Sequence, residues 1–226
     1  MAAEESVGEQ FIEVPRTARY WVEGSADGAR DVWFLLHGYG QLARDLLTAA
    51  RPLAGPGRLL VAPEALSRFY PGGAGGSHSG SAVGASWMTR EDREHEVADY
   101  VRYLDAVCAE VLGAIAPAPR VHLLGFSQGA ATATRWAACG QVRPVTLMLW
   151  GAAPPVDLAR EVRHRLAGLR VRLVYGTTDR LVNPDALAAS AARLREDGAE
   201  VIIESYEGGH RLDDAVLAAL VRSRPA

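Results

Sequence analysis

Residues 121–130 read Val-His-Leu-Leu-Gly-Phe-Ser-Gln-Gly-Ala. The run from Val121 to Phe126 is nearly all apolar, the pattern of a strand buried on both faces. The small-residue stretch QGAATATRWAAC (128–139) follows it and predicts a helix. Ser127 therefore stands on a sharp strand-to-helix turn, with its hydroxyl projected outward. Gly125 and Gly129 leave room for that turn against neighbouring elements.

The same rhythm continues on both sides. Apolar runs at 32–38, 58–64, 145–151, 171–176 and 201–207 predict further strands. Helices are expected at about 41–53, 128–139, 184–196 and 212–222. Another is expected from the capping-box-like Thr89-Arg-Glu-Asp92 to about Ile115, before Pro117 and Pro119. Alternation of strands and helices from Val32 onward implies an α/β fold with a mostly parallel, doubly wound sheet and helices on both faces. RYWVEG (19–24) is expected to form an antiparallel hairpin with VWFLLHG (32–38) at the start of the sheet. Residues 1–15 read as a loose polar lead-in. The Gly- and Ser-rich segment 67–86 reads as one long loop, a feature that in compact domains is usually functional. No repeat or linker divides the chain, so residues 1–226 are expected to form one domain.

Composition narrows the function classes. Hydrophobic residues make up 49% and charged residues 23%, so disorder and coiled coil are excluded. The net charge of −3 gives no basic excess with which to grip phosphates, so nucleic acid is not expected as a partner. All 24 basic residues are Arg, which points to a GC-rich genome rather than to a function. Cys108 and Cys139 lie in apolar helical stretches and are expected to be small core residues in a reducing compartment. The acidic N-terminus does not resemble a signal peptide, and no apolar run is long enough for a membrane span. A cytoplasmic location is the expectation.

A serine needs a base. Six histidines are available: His37, His78, His95, His122, His164 and His210. His210 alone follows the last strand, in Glu207-Gly-Gly-His210. Asp179 follows the strand VRLVYG and can orient an imidazole. Its rival, Asp185, sits in a first helical turn, where the helix dipole explains a carboxylate. The chain order Ser127, Asp179, His210 matches the Ser…Asp…His order of α/β-hydrolases. The amides of Tyr39 and Gln128 are candidate oxyanion donors. A competing reading takes Gly38-x-Gly40-x-x-Ala43 as a dinucleotide fingerprint with Glu64 as the ribose-binding acid. A non-catalytic binding module on the same fold is a further alternative.

The chain resembles the phospholipase/carboxylesterase branch of the α/β-hydrolase family, which includes acyl-protein thioesterases. The resemblance rests on HGYGQ (37–41), GFSQGA (125–130), GTTDRLV (176–182) and GGH (208–210), and spans Val32 to Leu220. It implies Ser127 as nucleophile, His210 as base, Asp179 as orienter and oxyanion donors at Tyr39 and Gln128. It also implies a small-molecule ester substrate, with acyl thioesters or lysophospholipids as alternatives, and no cofactor; no His/Cys/Asp/Glu cluster has metal-ligand spacing, so no metal is expected. This sequence departs from the family with Tyr39 in place of a common Leu and Gln41 in place of an acid. It also has Ser86-Trp87-Met88 where many members carry Trp-Phe/Tyr-Asp. Trp87 and Met88 are candidates for substrate binding, with Trp87 as an apolar wall for short to medium acyl chains. Phe69 and Tyr70 are weaker candidates.

Overall fold

The computed structural model describes residues 7–72 and 82–222. His78 and the centre of the predicted 67–86 loop lie outside the described residues.

Among the described residues nine strands form in chain order: β1 (Tyr20–Glu23), β2 (Asp31–Leu36), β3 (Arg58–Pro63), β4 (Ser67–Phe69), β5 (Gly84–Ser86), β6 (Arg120–Phe126), β7 (Thr146–Trp150), β8 (Arg170–Gly176) and β9 (Glu200–Tyr206). The α-helices of the described residues are α1 (Ala43–Ala49), α2 (Arg93–Gly113), α3 (Gln128–Cys139), α4 (Arg160–Arg163), α5 (Pro184–Glu196) and α6 (Asp214–Arg222). The main sheet has the order β1-β3-β2-β6-β7-β8-β9. Every pairing in it is parallel except β1 with β3.

Alternate residues of the buried strands feed two cores. On one face Val32, Phe34 and Leu36 pack with Tyr100 and Leu104 of α2 and Ala130 and Ala133 of α3. On the other face Trp33 and Leu35 meet Leu46 of α1 and Leu217 of α6. Both faces are covered, which explains the continuous apolar runs.

Several expectations are corrected. β1 does not form a hairpin with β2; it pairs antiparallel with β3, Tyr20 opposite Pro63 and Glu23 opposite Leu60. β3 is apolar on both faces and takes the interior position, while β1 exposes Trp21 and Val22 and tolerates the edge. The first helix stops at Ala49, and a 3₁₀ turn, Arg51–Leu53 with Pro52 inside it, replaces its last turn. The capping box at Thr89 does not form. Thr89 instead turns on itself, accepting the Glu91 amide at 3.1 Å, and α2 starts after Asp92 in a left-handed conformation. The 67–86 segment is not a plain loop, because its ends pair as the β4–β5 hairpin. Cys108 is buried, whereas Cys139 is exposed at the last turn of α3.

Candidate active site

Ser127 joins β6 to α3 with φ 53° and ψ −118°. A non-glycine residue there carries strain of order 1–3 kcal/mol, which the surroundings must hold in place. Its amide donates to Trp150 O at 2.8 Å, and its carbonyl accepts from Ala130 N at 2.9 Å. The turn is tight against β2: a Cβ on Gly129 would lie 1.9 Å from Leu36 O. The hydroxyl makes no hydrogen bond among the described residues. The start of α3 places its positive dipole end beside it.

His210 follows β9, and Asp179 follows β8. The structure brings these two together, with His210 Nδ1 2.7 Å from Asp179 Oδ2. Asp179 Oδ1 accepts the Leu181 amide at 2.9 Å, and the Asp179 side chain is 1% exposed. Asp185 sits in the first turn of α5, its amide capped by Asn183 Oδ1 at 3.0 Å. The His210 ring packs 4.8 Å from Phe126, the neighbour of Ser127, and over Gly151, where a Cβ would lie 3.0 Å from His210 Cε1. Two residues that sequence reasoning missed fix the His210 loop from both sides. Trp150 Nε1 donates to Arg211 O at 2.9 Å, and Tyr206 Oη lies 2.9 Å from Gly209 O and within hydrogen-bond reach of Arg211 O. Their position at the ends of β7 and β9 is the one signal the sequence carried for them.

The turn after β2 lies on the other side of Ser127. A Cβ on Gly38 would come within 3.2 Å of Ser127 Cβ. Gln41 Oε1 accepts the Gly38 amide at 2.9 Å, closing the turn with the side chain that replaces an acid. The Tyr39 and Gln128 amides donate no hydrogen bond among the described residues. Beneath the turn, the buried His37 ring donates from Nδ1 to Gly38 O at 2.8 Å and accepts at Nε2 from Ala65 N at 3.0 Å. Burial pushes its pKa below the ordinary value, against the pull of the Gly38 carbonyl and of Glu64 and Asp45.

Trp87 requires a correction. It is 3% exposed, its Nε1 donates to His37 O at 2.8 Å, and its ring packs 5.1 Å from His37 and 6.2 Å from Tyr100. It anchors the turn from within the core and offers no wall to a substrate. Met88 is half-buried, with its thioether 3.6 Å from Arg135 Nη1. The Gln128 side chain ties this segment down, accepting from Trp87 N at 3.1 Å and donating to Met88 O at 2.9 Å. The large apolar groups left open near the strand ends include Tyr39, at 63% exposure, and Leu181, at 74%. Phe69 is half-buried, with its ring 5.0 Å from that of Tyr39.

The other described histidines have other tasks. His122 stacks on Trp33 and bonds Asp31 at 3.0 Å; His95 pairs with Asp92; His164 is exposed in a 3₁₀ turn. The dinucleotide reading does not fit. The Gly38 turn is packed against Ser127, and Glu64, 1% exposed, is held by Arg19 at 2.7 Å and Arg68 at 3.1 Å. No group of three or more His, Cys, Asp or Glu among the described residues could hold a metal ion. No helix among them is long and apolar enough to cross a membrane.

A parallel sheet carrying a strained serine elbow defines the class, an α/β-hydrolase. A family model described as phospholipase/carboxylesterase matches residues 18–223, and the chain belongs to that family of carboxylic ester hydrolases. Solved structures share the fold. A carboxylesterase from Mesorhizobium loti superposes with a TM-score of 0.72 at 22% identity, covering 92% of this chain and 95% of that one. A Bacillus cereus carboxylesterase gives 0.68 at 17% identity, covering 90% and 92%. The Zea mays acyl-protein thioesterase 2 gives 0.65 at 21% identity, covering 90% and 98%. Among curated proteins, none matches the sequence.

Proposed function

We propose that this carboxylic ester hydrolase works through an acyl-serine on Ser127, with His210 as the base, Asp179 as its orienter and the Tyr39 and Gln128 amides as the oxyanion hole. The observation that carries the reading is the 2.7 Å contact between His210 Nδ1 and Asp179 Oδ2 beside the serine elbow. That contact leaves His210 Nε2 as the nitrogen for catalysis. Nε2 takes the Ser127 proton as Oγ bonds the acyl carbon, and the carbonyl oxygen becomes an oxyanion facing the two amides. The imidazolium then gives the proton to the departing alcohol or thiol. Water, deprotonated by the same nitrogen, attacks the acyl carbon, and the imidazolium returns the proton to the departing Oγ as the acid is released.

Small esters with short to medium acyl groups are the proposed substrates. The exposed Tyr39 and Leu181 side chains near the strand ends offer a limited apolar surface suited to such groups. A fluorophosphonate should add once, at Ser127, and Ser127→Ala should lower kcat by about 10⁴-fold or more. Labelling elsewhere, or full activity in the Ser127→Ala protein, would overturn the assignment.

A further inference from the structure

Resting on the reading of Ser127 as nucleophile, we propose that the Tyr39–Phe69 pair is the acyl-side wall of the site and selects flat aromatic acyl groups over straight chains of equal carbon number.

The strand order supplies the direction. β2 lies on one side of β6 and β7 on the other. His210 leans over Gly151, at the end of β7, so a leaving group that collects its proton departs on that side. The Gly38–Gly40 turn, at the end of β2, flanks Ser127 on the opposite side. With the leaving group on the His210 side and the oxyanion on the two amides, the acyl substituent is assigned to the outer face of the turn, where Tyr39 carries its side chain. That ring is 63% exposed, and its partner Phe69 lies 5.0 Å away with the planes at 35°. An exposed large aromatic one residue along the chain from Gly38, which packs on Ser127, has surface to offer a ligand.

The pair is also mounted rigidly. Phe69 lies opposite Gly84 in the β4–β5 hairpin, and Gly84 packs directly on Gly40, where a Cβ would lie 2.5 Å from Gly40 O. Gly40 N donates to Ala85 O at 2.9 Å, and Ala85 N donates to Gln41 O at 3.1 Å. The aromatic face and the oxyanion turn therefore form one platform, on which a ring is placed when its carbonyl is placed. Ring-on-ring contact adds attraction beyond buried area, and a flat ring loses less rotational freedom than an alkyl chain.

The test compares 4-nitrophenyl benzoate with 4-nitrophenyl heptanoate, which share a leaving group and an acyl carbon count. Each kcat/KM is divided by the hydroxide-catalysed rate of the same ester. The wild-type benzoyl-to-heptanoyl ratio should exceed unity by about ten-fold, and Tyr39→Leu and Phe69→Leu should each lower it by about three-fold or more. Being internal to one protein, the ratio does not depend on the fraction folded. The ratio of phenyl acetate to methyl acetate, which varies the leaving group, should stay constant. A wild-type ratio at or below unity overturns the proposal. So does a ratio unchanged in both variants, or a shift confined to the leaving-group series. Turnover of all four esters that survives Ser127→Ala would instead overturn the nucleophile assignment on which the proposal rests.

Discussion

Asp179 holds His210 through one carboxylate oxygen, at 2.7 Å from Nδ1, and the chain beyond it through the other, at 2.9 Å from the Leu181 amide. One buried side chain thus sets both the tautomer of the imidazole and the course of the loop after β8. Asp179→Asn should lower kcat by about 10⁴-fold, because an amide facing Nδ1 favours the wrong tautomer. Asp185→Asn should change kcat by less than about two-fold, since that carboxylate serves a helix start. Steady-state kinetics on the two variants decides between them; the reverse pattern would move the role to Asp185.

Trp87→Ala should lose about 3–5 kcal/mol of stability, as expected for emptying a buried indole site. Activity should fall by the same factor for acetyl, butyryl and octanoyl esters, because the indole supports His37 and the turn rather than a substrate. Denaturant unfolding with a chain-length series measures both. A loss concentrated on longer chains would return Trp87 to the binding surface.

Tyr206→Phe removes the hydroxyl that meets the carbonyls on either side of His210. We expect about ten-fold lower kcat with little change in KM, and a stability loss of about 1 kcal/mol. Unaltered kcat at the same stability loss would confine Tyr206 to a structural role.

Gly129→Ala should destabilise the chain by about 3 kcal/mol or more, because its Cβ would meet backbone rather than a yielding side chain. Comparison of unfolding midpoints checks this. An unaffected midpoint would mean that α3 can shift away from β2 at no cost.

His37 is held neutral by burial, its pKa depressed from 6.5. The unfolded chain takes up a proton as pH falls through that value, while the folded chain resists, so the unfolded state binds more protons. This contribution is complete above about pH 6.5 and declines as pH drops toward the lower folded-state value. His122, also depressed by burial, adds to the same slope. Melting temperatures should therefore fall from about pH 7.5 to about pH 5.5, and less steeply in His37→Gln. An identical slope in the variant would exclude His37 as a source.

The strands β2, β3, β6, β7 and β8, the helices α1, α2, α3 and α5 and the elbow at Ser127 were legible in the sequence, whereas the short α4 after β7 was not. Burial on two faces writes a continuous apolar run, and a strained turn needs small residues at fixed offsets. The placement of Asp179 and His210 in loops after strands was legible for the same local reason. What lay beyond the sequence were the pairings between distant segments. Trp21 and Val22 alternate as any strand does, and nothing local says that β3 rather than β2 is their neighbour. An indole after a Gly-rich segment suits a pocket wall or a buried anchor equally; three-dimensional packing on His37 and Tyr100 put Trp87 inside. The contact of His210 with Asp179 rather than Asp185, and the hold of Trp150 and Tyr206 on the His210 loop, depend on atoms from separate strands meeting at hydrogen-bond distance. Periodicity and backbone preference act over a few residues and are written in order along the chain. Contacts between elements are decided when the two cores close on the sheet, so only the tertiary structure holds them.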